Sequence, residues 1–201
     1  MAAPSDNSIE TPSTGLSSHT GEGVIIDIGT GDGRFVYQSA RRNPNKFYIG
    51  IDPNTPPLEK ISEKIHRKPA KGGAPNVLFI QSAVEDLPAE LDGVANEVHV
   101  HLPWGSLLRA VAIGDVAVLR NLRRICAEGA LLEVVIGIDP VRDKTEIERL
   151  GITPLPADVL AAKYKEAGFE IVESGTTSQT LDTSWAKRLQ RPVMYIVVHA
   201  V

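Results

Sequence analysis

The amino-acid sequence predicts an α/β fold: a doubly wound, seven-stranded, mostly parallel sheet whose last strand runs antiparallel. Three observations predict it. A mostly β-branched run, Val24 to Ile28, ends in a glycine loop, Gly29-Thr30-Gly31-Asp32-Gly33, with a helical pattern directly behind it. Strand-like apolar runs and helical patterns then alternate, the order that builds parallel βαβ units. The last two runs, Phe169–Glu173 and Val193–His199, can pair as an antiparallel hairpin.

A chain of 201 residues with 42% hydrophobic content fits one domain with a real core. Residues 1–23 are rich in Ser, Thr, Gly and Pro and read as a disordered arm, leaving 24–201 as the folded domain. The single cysteine, Cys126, excludes an intramolecular disulfide and fits a reducing, cytoplasmic setting. It falls in an apolar helical stretch and reads as a core residue. No run approaches the length of a membrane span, and the N-terminus lacks the basic and apolar regions of a signal peptide. No Cys/His/Asp spacing suggests a metal.

The glycine loop follows its strand at once, so backbone N–H groups can approach a ligand closely. Its G-T-G-D-G spacing is not the G-x-G-x-x-G of dinucleotide binders. Asp27 and Asp32 would repel a pyrophosphate but not a cationic amino-acid end. That points to S-adenosylmethionine (SAM) over NAD or ATP. The second strand, Phe47–Ile51, ends in Asp52, 19 residues after Gly33, placed to accept hydrogen bonds from ribose hydroxyls.

The first helix runs from Arg34 to about Asn43, where Asn43-Pro44-Asn45 stops it. Pro56-Pro57 opens a second, with Leu58, Ile61 and Ile65 at helical spacing. Between residues 34 and 71 there are nine basic and three acidic residues, a net +6 in a chain whose total is −4. Such a segment is either two solvated helix faces or a polyanion contact. Lys68 and Lys71 flank a glycine-bearing loop, within reach of phosphates. Val77–Ile80 is a third strand and Asn96–Leu102 a fourth, on which His99 and His101 alternate with apolar residues and read as structural. The turn Leu102-Pro103-Trp104-Gly105-Ser106 follows, exposing an indole at the carboxyl end of a central strand. Residues 107–126 carry two helices separated at Gly114-Asp115, and Gly129 closes the second. A fifth strand covers Ala130–Ile138, and helices cover 143–150 and Asp158–Ala167. Between the last two strands, Trp185 sits beside Lys187, Arg188 and Arg191, a composition suited to base stacking next to phosphates.

Several segments together resemble a known family. They are Asp27–Gly33, Phe47–Pro53, Lys68-Pro69-Ala70-Lys71-Gly72-Gly73, Leu102–Leu108 and Ser184-Trp185-Ala186-Lys187-Arg188-Leu189. Over residues 24–200 the chain looks like the 16S ribosomal RNA adenine-N1 methyltransferases that act at nucleotide 1408 of the 30S subunit and confer aminoglycoside resistance. The resemblance implies a class I SAM-dependent methyltransferase (Rossmann-like) with strand order 3-2-1-4-5-7-6, acting as a monomer. It implies a cofactor site built from Asp27, Gly29, Thr30, Gly31 and Gly33 of the loop, with Asp52 and Pro53. Ala83, Val84 and Glu85 would lie beside the adenine, and Leu102 and Ser106 would complete the site. The target adenine would be flipped out and stacked between Trp104 and Trp185, with Pro103 and Leu102 making backbone contacts and Ser184 orienting Trp185 or the base. Lys68, Lys71, Lys187, Arg188 and Arg191 would hold rRNA phosphates.

Two stretches depart from that pattern. Residues 1–23 lack the alternating pattern of the family's N-terminal hairpin, and Arg191-Pro192 leads almost directly into the last strand without a further basic segment. Both departures imply less rRNA-contacting surface. The residues by themselves leave open methylation of another RNA or a small molecule on the same fold, and a SAM- or RNA-binding protein without turnover.

Overall fold

The computed structural model describes residues 22–177 and 193–201. The expectations for Ser184, Trp185, Lys187, Arg188 and Arg191, and for nearly all of the N-terminal arm, lie outside the described residues. The chain is tied down from residue 22: Glu22 N donates to Asn45 O (2.8 Å) and Phe47 N donates to Gly23 O (3.0 Å).

Seven strands form one sheet: β1 (Val24–Ile28), β2 (Phe47–Ile51), β3 (Val77–Ile80), β4 (Ala95–His101), β5 (Cys126–Ile136), β6 (Phe169–Thr177) and β7 (Val193–Ala200). Their order is β3-β2-β1-β4-β5-β7-β6, with β7 antiparallel to both of its neighbours and the other pairings parallel. Among the described residues six α-helices surround it: α1 (Arg34–Arg42), α2 (Glu59–Ile65), α3 (Gly105–Ile113), α4 (Val116–Ile125), α5 (Lys144–Leu150) and α6 (Ala157–Glu166).

The β1 sequence explains the two layers. Side chains alternate across a strand. Ile25 therefore packs with Val36, Tyr37 and Ala40 of α1 and Ile65 of α2 on one face. Ile26 and Ile28 face the other way, into the core made with Leu108, Val111, Leu119, Leu122 and Leu160 of α3, α4 and α6. Burying each large aliphatic chain contributes about 1.5–3 kcal/mol. The helix after β1 covers one face and the helices after β4 cover the other. The sheet thus has its switch point between β1 and β4, where a crevice opens at the carboxyl ends of the strands. Asp115 separates α3 from α4 and caps the latter, accepting from Ala117 N (3.1 Å) and Val118 N (3.4 Å).

Several boundaries differ from expectation. β5 starts at Cys126, four residues before the expected Ala130, directly at the end of α4 and with no intervening turn. Cys126 is thus a buried strand residue rather than a helical one, and its carbonyl accepts from Arg123 Nη1 (3.3 Å). Ala95 pairs with Cys126, but Glu97 pairs with Leu131, so β5 bulges between these rungs and Gly129 sits inside the bulge instead of ending a helix. β6 continues to Thr177 because β7 offers a partner rung for residues well past Glu173.

Candidate active site

The glycine loop is strapped to the tip of β2. Gly29 N and Thr30 N both donate to Ile51 O (2.8 and 3.1 Å), and Gly31 N donates to Asp52 Oδ2 (2.9 Å). Asp52 Oδ1 accepts from Asn54 N (2.8 Å), so the carboxylate is held at both oxygens and keeps lone pairs for a ligand. Gly33 caps α1 with a left-handed φ of 68°, and a Cβ there would lie 2.7 Å from Phe79. Its role is to seat the loop on the β2–β3 layer. Gly31 is the opposite case: at φ 59° a Cβ would meet nothing within 4 Å, so this stretch of backbone borders open space.

That space is a cleft of about 610 Å³. Asp27, at 4% exposure, forms its floor. Burial raises the Asp27 carboxyl above its ordinary range, and the field of His101, the neighbouring Thr30 hydroxyl and the field of His99 oppose this. Thr30 Oγ1 is buried beside Asp27, close enough to favour its charged form but without a hydrogen bond of good geometry to any protein group. A buried carboxylate, a buried hydroxyl beside it, an open glycine backbone and a clamped Asp52 together suit a ligand with a cationic amino-acid end and a ribose. SAM has both, so the residues present fit it.

The opposite wall is the β4 tip. Leu102 has a φ of 51°, costing a residue with a Cβ roughly 1–2 kcal/mol. Its N–H donates to Val135 O (2.7 Å), and its side chain packs with Val135 and Val193. This kink turns the chain out of the sheet and carries Pro103 and Trp104 to the rim. Trp104 precedes α3 and is 53% exposed although it lines the cleft.

Of the expected site residues, Asp27, Gly29, Thr30, Gly31, Asp52, Pro53, Leu102, Pro103, Trp104 and Ser106 come together around the cleft. Gly33 and the Ala83–Glu85 stretch are not among its lining residues. Val84 is buried in the core, and Asn121 Nδ2 donates to the carbonyls of Val84 (3.1 Å) and Glu85 (3.3 Å). Phe35, Pro57, His101 and Leu107 line the cleft and were not anticipated. For His101 a signal existed: it is the last residue of β4, directly before the turn, on the face opposite the buried Val98 and Val100.

Lys68 and Lys71 stand exposed at either end of a short turn, Pro69–Lys71, away from the cleft. The turn is braced from beneath: Tyr37 Oη donates to Gly72 O (2.8 Å), and Arg41 Nη1 donates to Tyr37 Oη (3.1 Å). Lys64 Nζ lies 4.5 Å above the same ring. Among the described residues, no group of three or more His, Cys, Asp or Glu could hold a metal, and no helix is long and apolar enough to cross a membrane.

Comparison with known proteins agrees with this geometry. The family NpmA, described as 16S rRNA (adenine(1408)-N(1))-methyltransferase, matches residues 11–200. A 16S rRNA (adenine(1408)-N(1))-methyltransferase of Streptoalloteichus tenebrarius is 38% identical over 175 residues, covering 83% of this chain and 80% of its own. The crystal structure of the aminoglycoside resistance methyltransferase NpmB1 superposes with a TM-score of 0.83 at 49% identity, over 92% of each chain. A variant of the Catenulisporales acidiphilia 16S rRNA (adenine(1408)-N(1))-methyltransferase, crystallised with cosubstrate SAM, superposes with a TM-score of 0.84 at 33% identity, over 92% of this chain and 90% of that one. With its strand order, its cleft and its sequence in agreement, the chain belongs to the 16S rRNA (adenine(1408)-N(1))-methyltransferase family of SAM-dependent aminoglycoside-resistance enzymes.

Proposed function

We propose that this chain methylates N1 of adenine 1408 within the 30S subunit, holding the flipped base between Trp104 and Trp185. The observation that carries this reading is Trp104: a large aromatic, half exposed, at the rim of the SAM cleft, on a backbone kink that directs it there. The strand geometry adds support. Thr177 at the end of β6 and Val193 at the start of β7 form one rung, and Val193 packs on Leu102. The connection that contains Trp185 therefore leaves and rejoins the sheet at the edge that holds the cleft.

SAM supplies a methyl group made electrophilic by its sulfonium. The protein's part is positioning. Asp27 takes the cationic amino end, and the Gly29–Gly31 backbone and Thr30 hydroxyl accommodate the amino-acid portion. Asp52 accepts from the ribose hydroxyls, while Pro53 and Pro57 flank the adenine side. Adenine N1 carries a free lone pair at neutral pH, so a general base is not needed. What the enzyme supplies is alignment of that lone pair with the methyl carbon. Leu102 and Pro103 offer backbone groups to the base edge, and the two indoles offset the few kcal/mol that flipping costs. Lys68 and Lys71, with Lys187, Arg188 and Arg191, hold rRNA phosphates.

Primer extension across the decoding site of treated 30S subunits tests this directly, because N1-methyladenine blocks the Watson–Crick edge. A SAM-dependent stop beside nucleotide 1408 is expected. Trp104→Ala should lower methyl transfer by roughly 5- to 150-fold, while SAM affinity stays within about twofold, since stacking is worth roughly 1–3 kcal/mol per base. Full transfer by that variant would refute the stacking role.

A further inference from the structure

The turn that carries Lys68 and Lys71 is closed on itself. Lys68 O accepts from both Lys71 N (2.7 Å) and Gly73 N (3.1 Å), and Gly72 N donates to Pro69 O (3.0 Å). At Gly73 the chain passes so close to the end of the α2 segment that a Cβ would lie 1.6 Å from Arg67 O. Ala74 N then donates to Ile65 O (2.9 Å), and Ala74 is buried with Ile25, Val36 and Ile65. These bonds fix the shape of the turn and tie its far end to α2. Its tie to α1 is made at Gly72, and the residue that makes it is Tyr37.

The Tyr37 side chain is 7% exposed and packs in the apolar cluster under α1. A phenylalanine would fill that cluster equally well, so the hydroxyl has another use. A tyrosine hydroxyl has one proton to donate. Here it goes to Gly72 O (2.8 Å), while the oxygen accepts from Arg41 Nη1 (3.1 Å). Lys64 Nζ lies 4.5 Å from the ring centroid, a cation over the same aromatic face. Gly72 has a left-handed φ of 87°, and a Cβ there would lie 3.0 Å from Lys64 Cε and 3.2 Å from Tyr37 Oη. The turn, the phenol and the lysine stem are thus in close contact.

We propose that Tyr37 is a positioning residue for substrate binding: its hydroxyl holds the turn at residues 68–73, so that Lys68 and Lys71 present their charges in place before the rRNA arrives. This rests on the reading that these two lysines meet rRNA phosphates. Ordering a loose loop at the moment of binding subtracts from affinity, and a loop already held loses less. Tyr37 acts through the turn and touches no reacting atom.

The test is a double-mutant cycle on the full-length protein, read by equilibrium binding to 30S subunits and by steady-state methyl transfer. Tyr37→Phe keeps the ring and removes the hydroxyl alone. It should weaken 30S binding and raise the KM for 30S by roughly 2- to 10-fold, the range that one net hydrogen bond spans, with kcat and SAM affinity within about twofold. In the Lys68→Ala/Lys71→Ala background the same substitution should change 30S binding by less than about twofold, because no charge remains for the hydroxyl to place. Hydrogen exchange supplies a second readout: the Gly72 and Gly73 amides should exchange faster in Tyr37→Phe, with the amides of β1 unchanged. Tyr37→Phe binding 30S as the parent does, or losing affinity equally in both backgrounds, would overturn the inference, while a loss on removing the two lysines would leave their rRNA contact intact. Lysine substitutions that leave 30S binding unaltered would overturn the rRNA contact and the inference with it.

Discussion

Asp27, proposed above to receive the amino end of SAM, burdens the protein that carries it. A carboxyl raised by burial binds its proton more tightly folded than unfolded, so stability falls as pH rises through the interval between its unfolded and folded values. That cost is largest at the alkaline end. Asp27→Asn should therefore raise the stability of the ligand-free protein at pH 8, seen as a higher melting temperature, while abolishing detectable SAM binding. A variant that melts lower and still binds SAM would contradict both assignments. The residues of the glycine loop, Asp52 and Trp104 were legible in the sequence because their signals are local: spacing, strand ends and a Pro-Trp-Gly turn. Phe35, Pro57 and Leu107 were not, because lining a cleft depends on how separate elements come together, which no local pattern encodes; His101 had a local signal, its place at the end of β4. The Ala83–Glu85 stretch was placed at the cofactor by resemblance, and the structure puts Val84 in the core.

At the level of elements, the sheet is cross-tied by side chains that skip a strand. Lys46, at the entry to β2, pairs with Glu97 on β4 across the intervening β1. Asn76 Nδ2 donates to the carbonyls of Ala40, Asn43 and Lys46, joining the end of α1 to the entries of β2 and β3. Hydrogen bonding from His99, then from Lys46, holds the Glu97 carboxyl down at about 2. A depressed carboxyl contributes stability that is present above its unfolded value of 4.5 and lost as pH falls toward 2. Because Glu97 is a third exposed, the contribution is discounted to about 1 kcal/mol. Urea unfolding should show Glu97→Gln weaker than the native protein by that amount at pH 6, with the gap closing near pH 3. β1, β3 and the start of α1 were readable to the residue, since glycine and proline bracket them. The start of β5 was not: α4 passes into the strand through Ile125-Cys126 with no turn residue, and the one glycine nearby serves a bulge.

Over the whole molecule, charge is segregated. The net +6 between residues 34 and 71 stands out against a total of −4. Part of it is committed within the fold: Arg41 and Lys64 brace Tyr37, and Lys46 pairs with Glu97. Lys68 and Lys71 project from the turn that this bracing supports. If they neutralise two phosphates, the Lys68→Ala/Lys71→Ala variant should bind 30S subunits with a log–log salt slope shallower by roughly 1.4–1.8, and its SAM affinity should be unaffected. An unchanged slope would remove this loop from the rRNA contact.

The rung between Thr177 and Val193 has one more consequence. An antiparallel pair fixes the distance between its two strand ends whatever joins them, so the sheet itself holds Thr177 and Val193, the ends between which the 15 residues numbered 178–192 run, at one rung. Segments of other lengths and compositions can be spliced there without disturbing strand register, and loop-closure entropy penalises added length only slowly. A chimera carrying a relative's connection between these two ends should therefore keep the sheet and the cleft intact, and its target selectivity compared with the parent's would show how much of that selectivity the connection carries.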